Sequence, residues 1–395
     1  MREAVNGMGA IWPSARVSRA VTDRLTIASV GNRGELARIL PFLEQQRVPH
    51  AGETVARATG RASYAALLAG KVAPDAALLL AECSERRAAT LPRQGAIILP
   101  LRLNLVVRLD GDASPLERVS RTDRKLFVRR RRRDDLTLVR GTGGADFDFF
   151  YDRMHVPTMR RRHGDAARSE PREAAYQCLF EHGVLFFVEE AGTRAGGMLC
   201  RLEPEARRLI VRLVGVLDGE DVHYSSALYM AMYILVLEWA SDQGLAEVDL
   251  SVSEPFLSKG VLQFKRKLHP HFELPQNHLR NRRLWLQVQR DSAEVRDFLV
   301  ANPLISIDAD GQLEAVYFHD QQRPARQSLS CASPGISRAT LVDLDAFLSC
   351  CRGPRRRNAP TAVPRLPWKV KRSVLGERRA TATEHHSARL RAHRP

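Results

Sequence analysis

Residues 184–216 read VLFFVEEAGTRAGGMLCRLEPEARRLIVRLVGV, and this stretch decides the fold. Val184–Glu189 and Arg194–Leu202 are two apolar runs parted by the turn residues Ala191 and Gly192. Pro204–Ala206 makes a second turn, and Arg208–Val216 is a third run. Three strands joined by tight turns predict an antiparallel meander. Asp218 and Gly219 then break the chain. Tyr224–Gln243 reads as a long helix, apolar around nearly its whole circumference, with Met230, Met232, Tyr233 and Trp239 as core. Such a helix is buried on most sides. Gly244 supplies its C-terminal cap. Ala246–Val252 (AEVDLSV) is a further strand, and Val261–Leu268 a short amphipathic helix stopped before Pro270. A meander, a crossover helix and another strand predict a mixed α/β sheet.

Upstream the pattern is fainter. Residues 1–24 read as a disordered leader without the apolar region of a signal peptide. Leu25–Val30 is a short apolar stretch, and Glu35–Gln46 has helical spacing that Pro41 should kink or split. Gly95–Val107 (GAIILPLRLNLVV) reads as one or two strands interrupted by Pro100. Ser120–Arg133 is a helix opened by a capping-box pair, Ser120 and Asp123, and closed by five arginines, Arg129–Arg133. Leu136–Val139 is a strand, and Asp146–Arg161 a helix kinked at Pro157. Downstream, Leu284–Val288, Ser292–Val300 and Leu313–Phe318 suggest a strand, a helix and a strand completing the second lobe.

Of the net charge of +16, residues 352–395 carry +11, from thirteen Arg and Lys against two acids. The tail therefore reads as a basic, solvated, disordered segment, with RNA or an anionic membrane surface as the sharper alternative. Ala227–Ala240, the most apolar stretch, is shorter than the roughly 20 residues that span a bilayer, so no transmembrane segment is expected. Six scattered cysteines form no C-x-x-C pair. They imply a reducing, cytoplasmic compartment and no structural metal.

Asp249-Leu250-Ser251, Pro255-Phe256-Leu257 and Gly260 followed by Phe264-Lys265 resemble a recurring feature of Fem-type proteins of the GNAT superfamily. In that group an aspartate-bearing strand leads through a loop to a glycine and then an aromatic-Lys pair. Phe149–Asp152, Met154, Pro157, Met159, Arg161 and Gly164 resemble the helix these proteins place before the second lobe. The resemblance implies an α/β fold of tandem GNAT-like lobes, with mixed, mostly antiparallel sheets flanked by helices and a basic disordered C-terminal tail. It places a leader at 1–24, an N-terminal lobe at 25–145, a catalytic lobe at 146–320, and an extension with the tail at 321–395. It implies an acyltransferase: an acyl group passes from acyl-CoA (acetyl-CoA in the first place) or aminoacyl-tRNA to an amine. The acceptor would be a small molecule or a cell-envelope or exopolysaccharide glycan precursor. The loop Val216–His223, where many relatives cradle a pyrophosphate on glycine backbone, holds one glycine, three acids and no Arg or Lys. A binding protein without catalysis, or an RNA-associated protein acting through its tail, are the other readings.

Acyl transfer to an amine requires an unprotonated nucleophile, a stabilised oxyanion and a proton for the leaving group. Lys265 is the first candidate, its ammonium a partner for the oxyanion; a plain surface lysine is the alternative. Asp249 sits between apolar Val248 and Leu250, so it faces away from them, as a base, an acceptor-orienting group or a structural hydrogen-bonding residue. Glu254 is similar and weaker. His223 is a candidate general base beside the long helix, or an ordinary helix-start residue. Phe264 and Tyr224 would line the substrate site. Arg161 and Arg162, with His163, would hold an anionic group of the acceptor or simply suit the C-terminal dipole of their helix.

Overall fold

The computed structural model describes residues 15–111, 114–164, 169–221, 226–349 and 369–371. Seventeen strands are seen among them. The first six are β1 (Ala15–Val21), β2 (Ile27–Gly31), β3 (Ala56–Ala62), β4 (Leu78–Ser84), β5 (Ala96–Pro100) and β6 (Leu103–Arg108). Then come β7 (Leu136–Gly141), β8 (Gly183–Glu190), β9 (Thr193–Glu203), β10 (Arg208–Val216), β11 (Glu247–Ser253) and β12 (His271–Glu273). The last are β13 (Arg282–Val288), β14 (Leu304–Ile307), β15 (Leu313–His319), β16 (Ile336–Asp343) and β17 (Lys369–Lys371).

Two seven-stranded sheets repeat one plan. Sheet one runs β17-β3-β1-β2-β4-β13-β5 and sheet two β7-β8-β9-β10-β11-β6-β12. The parallel pair sits at the same place in each, β2 beside β4 and β10 beside β11; every other neighbour is antiparallel. A helix lies between the members of each parallel pair, as a parallel connection requires. These are α1 (Arg33–Ala51) and the long apolar helix Ser226–Asp242. The protein is thus an α/β fold of two similar lobes with mixed, mostly antiparallel sheets. A third sheet, β14-β15-β16, follows.

The lobes exchange strands. β6, next in the chain after β5, pairs with β11 in sheet two, and β13, next after β12, pairs with β4 in sheet one. No cut at residue 145 therefore separates the sheets: β6 and β7 belong to the second, and β13 to the first. Leu284–Val288 does not complete the second lobe. Its side chains Leu284, Leu286 and Val288 enter the core of the first, with α1 and the helix Ala293–Ala301.

Two further expectations change. The leader is ordered from Ala15, because β1 buries Ala15 and Val17 against sheet one; two buried positions in seven are too weak a period to read. Pro41 neither splits nor ends α1, which runs on through Pro41 and Pro49 while Leu36, Ile39, Phe42 and Leu43 stay buried. The rest of residues 1–24, and the tail apart from β17, lie outside the described residues.

In sheet two one face packs on Ser226–Asp242, where Leu228, Met232, Ile234 and Leu237 meet Leu105, Val107, Phe186, Leu209 and Val248. The opposite face is covered over β8–β10 by a continuous helix at 144–163, whose turns at Phe150–His155 widen to π geometry. That widening frees the backbone ahead of Pro157 without breaking the helix. Phe147, Phe150 and Met154 pack there on Leu185, Phe187, Leu199 and Leu213.

Candidate active site

The parallel strands β10 and β11 part almost as soon as they meet. They pair only over Arg208–Ile210 and Glu247–Asp249. Each strand breaks register with its other neighbour just beyond, β10 between Val211 and Leu213, β11 between Asp249 and Val252. Such bulges bend a strand and turn it away from its partner. Ser251 sits at the bend with a φ of 67°, and its hydroxyl donates to the Val211 carbonyl. A cleft between two parting strands results, with Asp249 at its vertex.

Asp249 is 5% exposed. Asn104 Nδ2 donates to its Oδ2 at 2.9 Å, and the Ser251 N–H to its Oδ1 at 2.7 Å. Burial pushes its carboxyl up to about 6, against the pull of the Ser251 bond and of Lys265. Lys265 is carried in on the short helix Gly260–Arg266 and is 6% exposed. Burial brings its ammonium down to about 8, although Asp249 and Glu254 both favour the charge. It makes no hydrogen bond or ion pair with a described residue. A surface position for Lys265 is thereby excluded. Its neighbour Phe264 stands edge-on to Tyr229 and Tyr233, at 5.6 and 5.5 Å between ring centres. Glu254, also buried, is paired with Lys259 at 3.0 Å.

The sheet face bearing Asp249 is polar beyond the cover of the 144–163 helix. Alternation puts Asn104, Val106 and Arg108 of β6, Glu247 and Asp249 of β11, and His271 and Glu273 of β12 on that face. Arg208 lies across from Glu247 and is bonded to it, and Arg108 stands 3.9 Å from Glu273. Asn104 was missed in the sequence, although a lone amide inside LRLNLVV was a usable signal.

The edge of β10 that faces the cleft is closed. His155 Nδ1–H donates to the Val214 carbonyl at 3.1 Å. The Thr158 hydroxyl donates to the Val216 carbonyl at 3.3 Å and accepts from the Val216 N–H at 2.9 Å. Nothing in the sequence singled out either side chain. The loop after β10 is tied to the same helix: Asp218 takes a two-point ion pair from Arg153, and Asp221 accepts from Arg161 at 2.7 Å.

Of the candidate site residues, the structure brings Asp249, Lys265 and Phe264 to the cleft. Arg161 is engaged by Asp221, and Arg162 lies over the Tyr229 ring at 5.4 Å. His223 and Tyr224 lie outside the described residues. In the run Arg129–Arg133, Arg130, Arg131 and Arg133 are held by Asp134, Glu190 and Glu238. A hollow of about 500 Å³ lies elsewhere, between α1 and sheet one, bordered by Ser18, Ser29, Leu43, Glu44 and Arg57 and by none of the candidates. Among the described residues there is no cluster of His, Cys, Asp and Glu suited to a metal, and no helix is long and apolar enough to cross a membrane.

No family model matches the chain, and no curated protein matches it. Solved structures do. FemX aligns over 63% of this chain and 79% of its own, at 11% identity and a TM-score of 0.36. L-PGS from Bacillus licheniformis covers 73% of this chain and 85% of its own, at 11% identity and 0.35. A GCN5-related N-acetyltransferase from Sphaerobacter thermophilus covers 69% and 76%, at 15% identity and 0.29. These are likenesses of backbone arrangement, and the chemistry below is argued from the cleft alone.

Proposed function

We propose that the protein is an N-acyltransferase acting on an amine acceptor at the cleft between β10 and β11. The observation that carries this reading is the buried, unjoined pair Asp249 and Lys265 at the vertex. Burying two opposite charges without bonding them to each other costs stability, and such arrangements gather where chemistry needs them. A carboxylate near 6 accepts a proton from an acceptor ammonium at neutral pH. The freed nitrogen attacks the acyl carbonyl, and the Lys265 ammonium faces the oxyanion that forms. Collapse of the tetrahedral intermediate expels the leaving group, which takes up the proton that the attacking nitrogen sheds. Transfer is direct, with no acyl-enzyme.

The donor is acyl-CoA, acetyl-CoA first, or aminoacyl-tRNA. Two features favour the aminoacyl ester. Asp218 and Asp221 face the place where a pyrophosphate would need cations, and their own cations Arg153 and Arg161 are already engaged. The edge of β10 along which the amides of a pantetheine arm would pair is held by His155 and Thr158. The acceptor we favour is a small amine or an amino-bearing glycan precursor of the cell envelope. The basic tail would add affinity for RNA or an anionic membrane surface, and the compartment that fits is the cytoplasm.

The test is acyl transfer by the purified full-length protein, supplied with acetyl-CoA or aminoacyl-tRNA and a panel of amines, beside Lys265→Met. Transfer that falls at least a hundredfold in the variant supports the reading. Transfer equal in the two proteins would sink it. A function in vivo that survives Lys265→Met would instead favour a binding protein of this fold.

A further inference from the structure

The polar face beside the vertex is rich in acceptors and short of donors. Asn104 spends its Nδ2 on Asp249, while its Oδ1 is buried and has no hydrogen-bond partner among the described residues. A buried carbonyl oxygen left unbonded costs about 1–3 kcal/mol, so its isolation asks for a ligand N–H or O–H. Both Asp249 oxygens already accept one bond, yet each retains a lone pair. Glu273 stands across from Asn104 in the β6–β12 register, and its charge is near enough to oppose ionisation of Asp249. Arg108, half exposed, stands 3.9 Å from Glu273, and the charges of Arg208 and Arg280 also reach it, yet burial still pushes its carboxyl up. The other arginine of this face, Arg208, is held by Glu247, with Gln276 accepting from it at 3.2 Å. Three acceptors therefore lie together, Asn104 bonded to Asp249 and Glu273 across the register from Asn104. The second sign of a missing ligand is Lys265, 6% exposed and without a hydrogen bond or ion pair to any described residue, its charge favoured by the same Asp249.

We propose that Asn104, Asp249 and Glu273 form a binding site for a primary ammonium group, with Asn104 Oδ1 accepting one of its N–H protons. A primary ammonium offers three N–H donors and one positive charge, which matches one amide oxygen and two carboxylates. A quaternary ammonium offers the charge without the donors. A hydroxyl offers one donor without the charge. The site thus selects a primary amine over both. It rests on the acyl-transfer reading only in naming this group as the acceptor. Loss of its proton to Asp249 leaves the nitrogen lone pair free, while Asn104 continues to hold a remaining N–H and fix the direction of attack.

The experiment uses full-length protein and three probes: n-butylamine, n-butyltrimethylammonium and n-butanol. Binding is followed through the side-chain amide resonance of Asn104. n-Butylamine is expected to shift that resonance saturably, and the other two are not. Asn104→Leu, read by calorimetry, is expected to weaken n-butylamine at least about tenfold. Asn104→Asp, which keeps an acceptor at Oδ1, is expected to bind the amine and guards against a leucine variant that fails to fold. Equal binding of the quaternary cation, unchanged affinity in Asn104→Leu, or no saturable shift with n-butylamine would each overturn the proposal. If the amine binds as expected and no donor supports transfer, the acyl-transfer reading fails and the site stands. If transfer occurs and Asn104→Leu leaves the KM for amine unchanged, only the ammonium site fails.

Discussion

Asp249 and Lys265 are each more than nine-tenths buried and near enough for each to favour the other's charge, with no hydrogen bond between them. Burial disfavours both charges more strongly than their mutual attraction restores them, and it brings the two toward each other in pH, to about 6 and about 8.

Activity that needs Asp249 ionised and Lys265 protonated should follow a bell in pH. We expect the acidic limb near 6 and the basic limb near 8 in kcat/KM, with a maximum close to 7. Asp249→Glu should move the acidic limb and leave the basic one. A flat profile between pH 5 and 9 would exclude both assignments.

The same pair should cost stability at neutral pH. Asp249 titrates higher folded than unfolded, so its contribution is present below about pH 4 and lost as pH rises through about 6. Lys265 titrates lower folded than unfolded, so its contribution is present above about pH 10.5 and lost as pH falls through about 8. Near pH 7 each charge costs on the order of 3 kcal/mol. The double variant Asp249→Asn, Lys265→Met should therefore melt higher than the wild type at pH 7 and be inactive. Lys265→Met alone should drive Asp249 still higher in pKa. Calorimetric Tm values across pH 5–10 would check these signs.

Thr158 satisfies both polar groups of Val216 with one hydroxyl. Thr158→Val keeps the shape and strands a buried N–H and C=O, for an expected loss of about 2–4 kcal/mol. Thr158→Ser should recover most of it. A valine variant as stable as the wild type would mean that the β10 edge is not held this way.

Gly215 has no room for a side chain. A Cβ there would lie 2.5 Å from the Met154 carbonyl carbon and 2.6 Å from the His155 nitrogen, both backbone atoms of the 144–163 helix. Gly215→Ala must push that helix off β10, with an expected loss of at least about 2 kcal/mol in urea unfolding. Gly244→Ala is the control for crowding: it meets nothing within 4 Å and carries only the strain of φ 66°.

Local order was legible wherever one residue period held over a whole element. The meander β8–β10, the long helix before β11 and the helix Arg121–Arg133, with Ser120 capping it, all follow from such runs. β1 was not legible because two buried positions do not make a period, and the exchange of β6 and β13 was not because register between distant strands leaves no local trace. Lys265 and Asp249 were found through the resemblance of their surroundings. Asn104, His155 and Thr158 were not, since each matters for what lies across from it in space.

Sequence by itself determined the kinds of elements and their order, because hydrophobic period and turn chemistry act over a few neighbouring residues. It also placed +11 of the net charge of +16 in the last 44 residues, a matter of composition alone. Tertiary structure decided that two bulges part β10 from β11, that a carboxylate and an ammonium are buried near each other there, and that an amide oxygen beside them has no partner among the described residues. Desolvation and hydrogen-bond satisfaction depend on every atom packed around a group, and those atoms come from distant segments, 145 residues apart for Asn104 and Asp249.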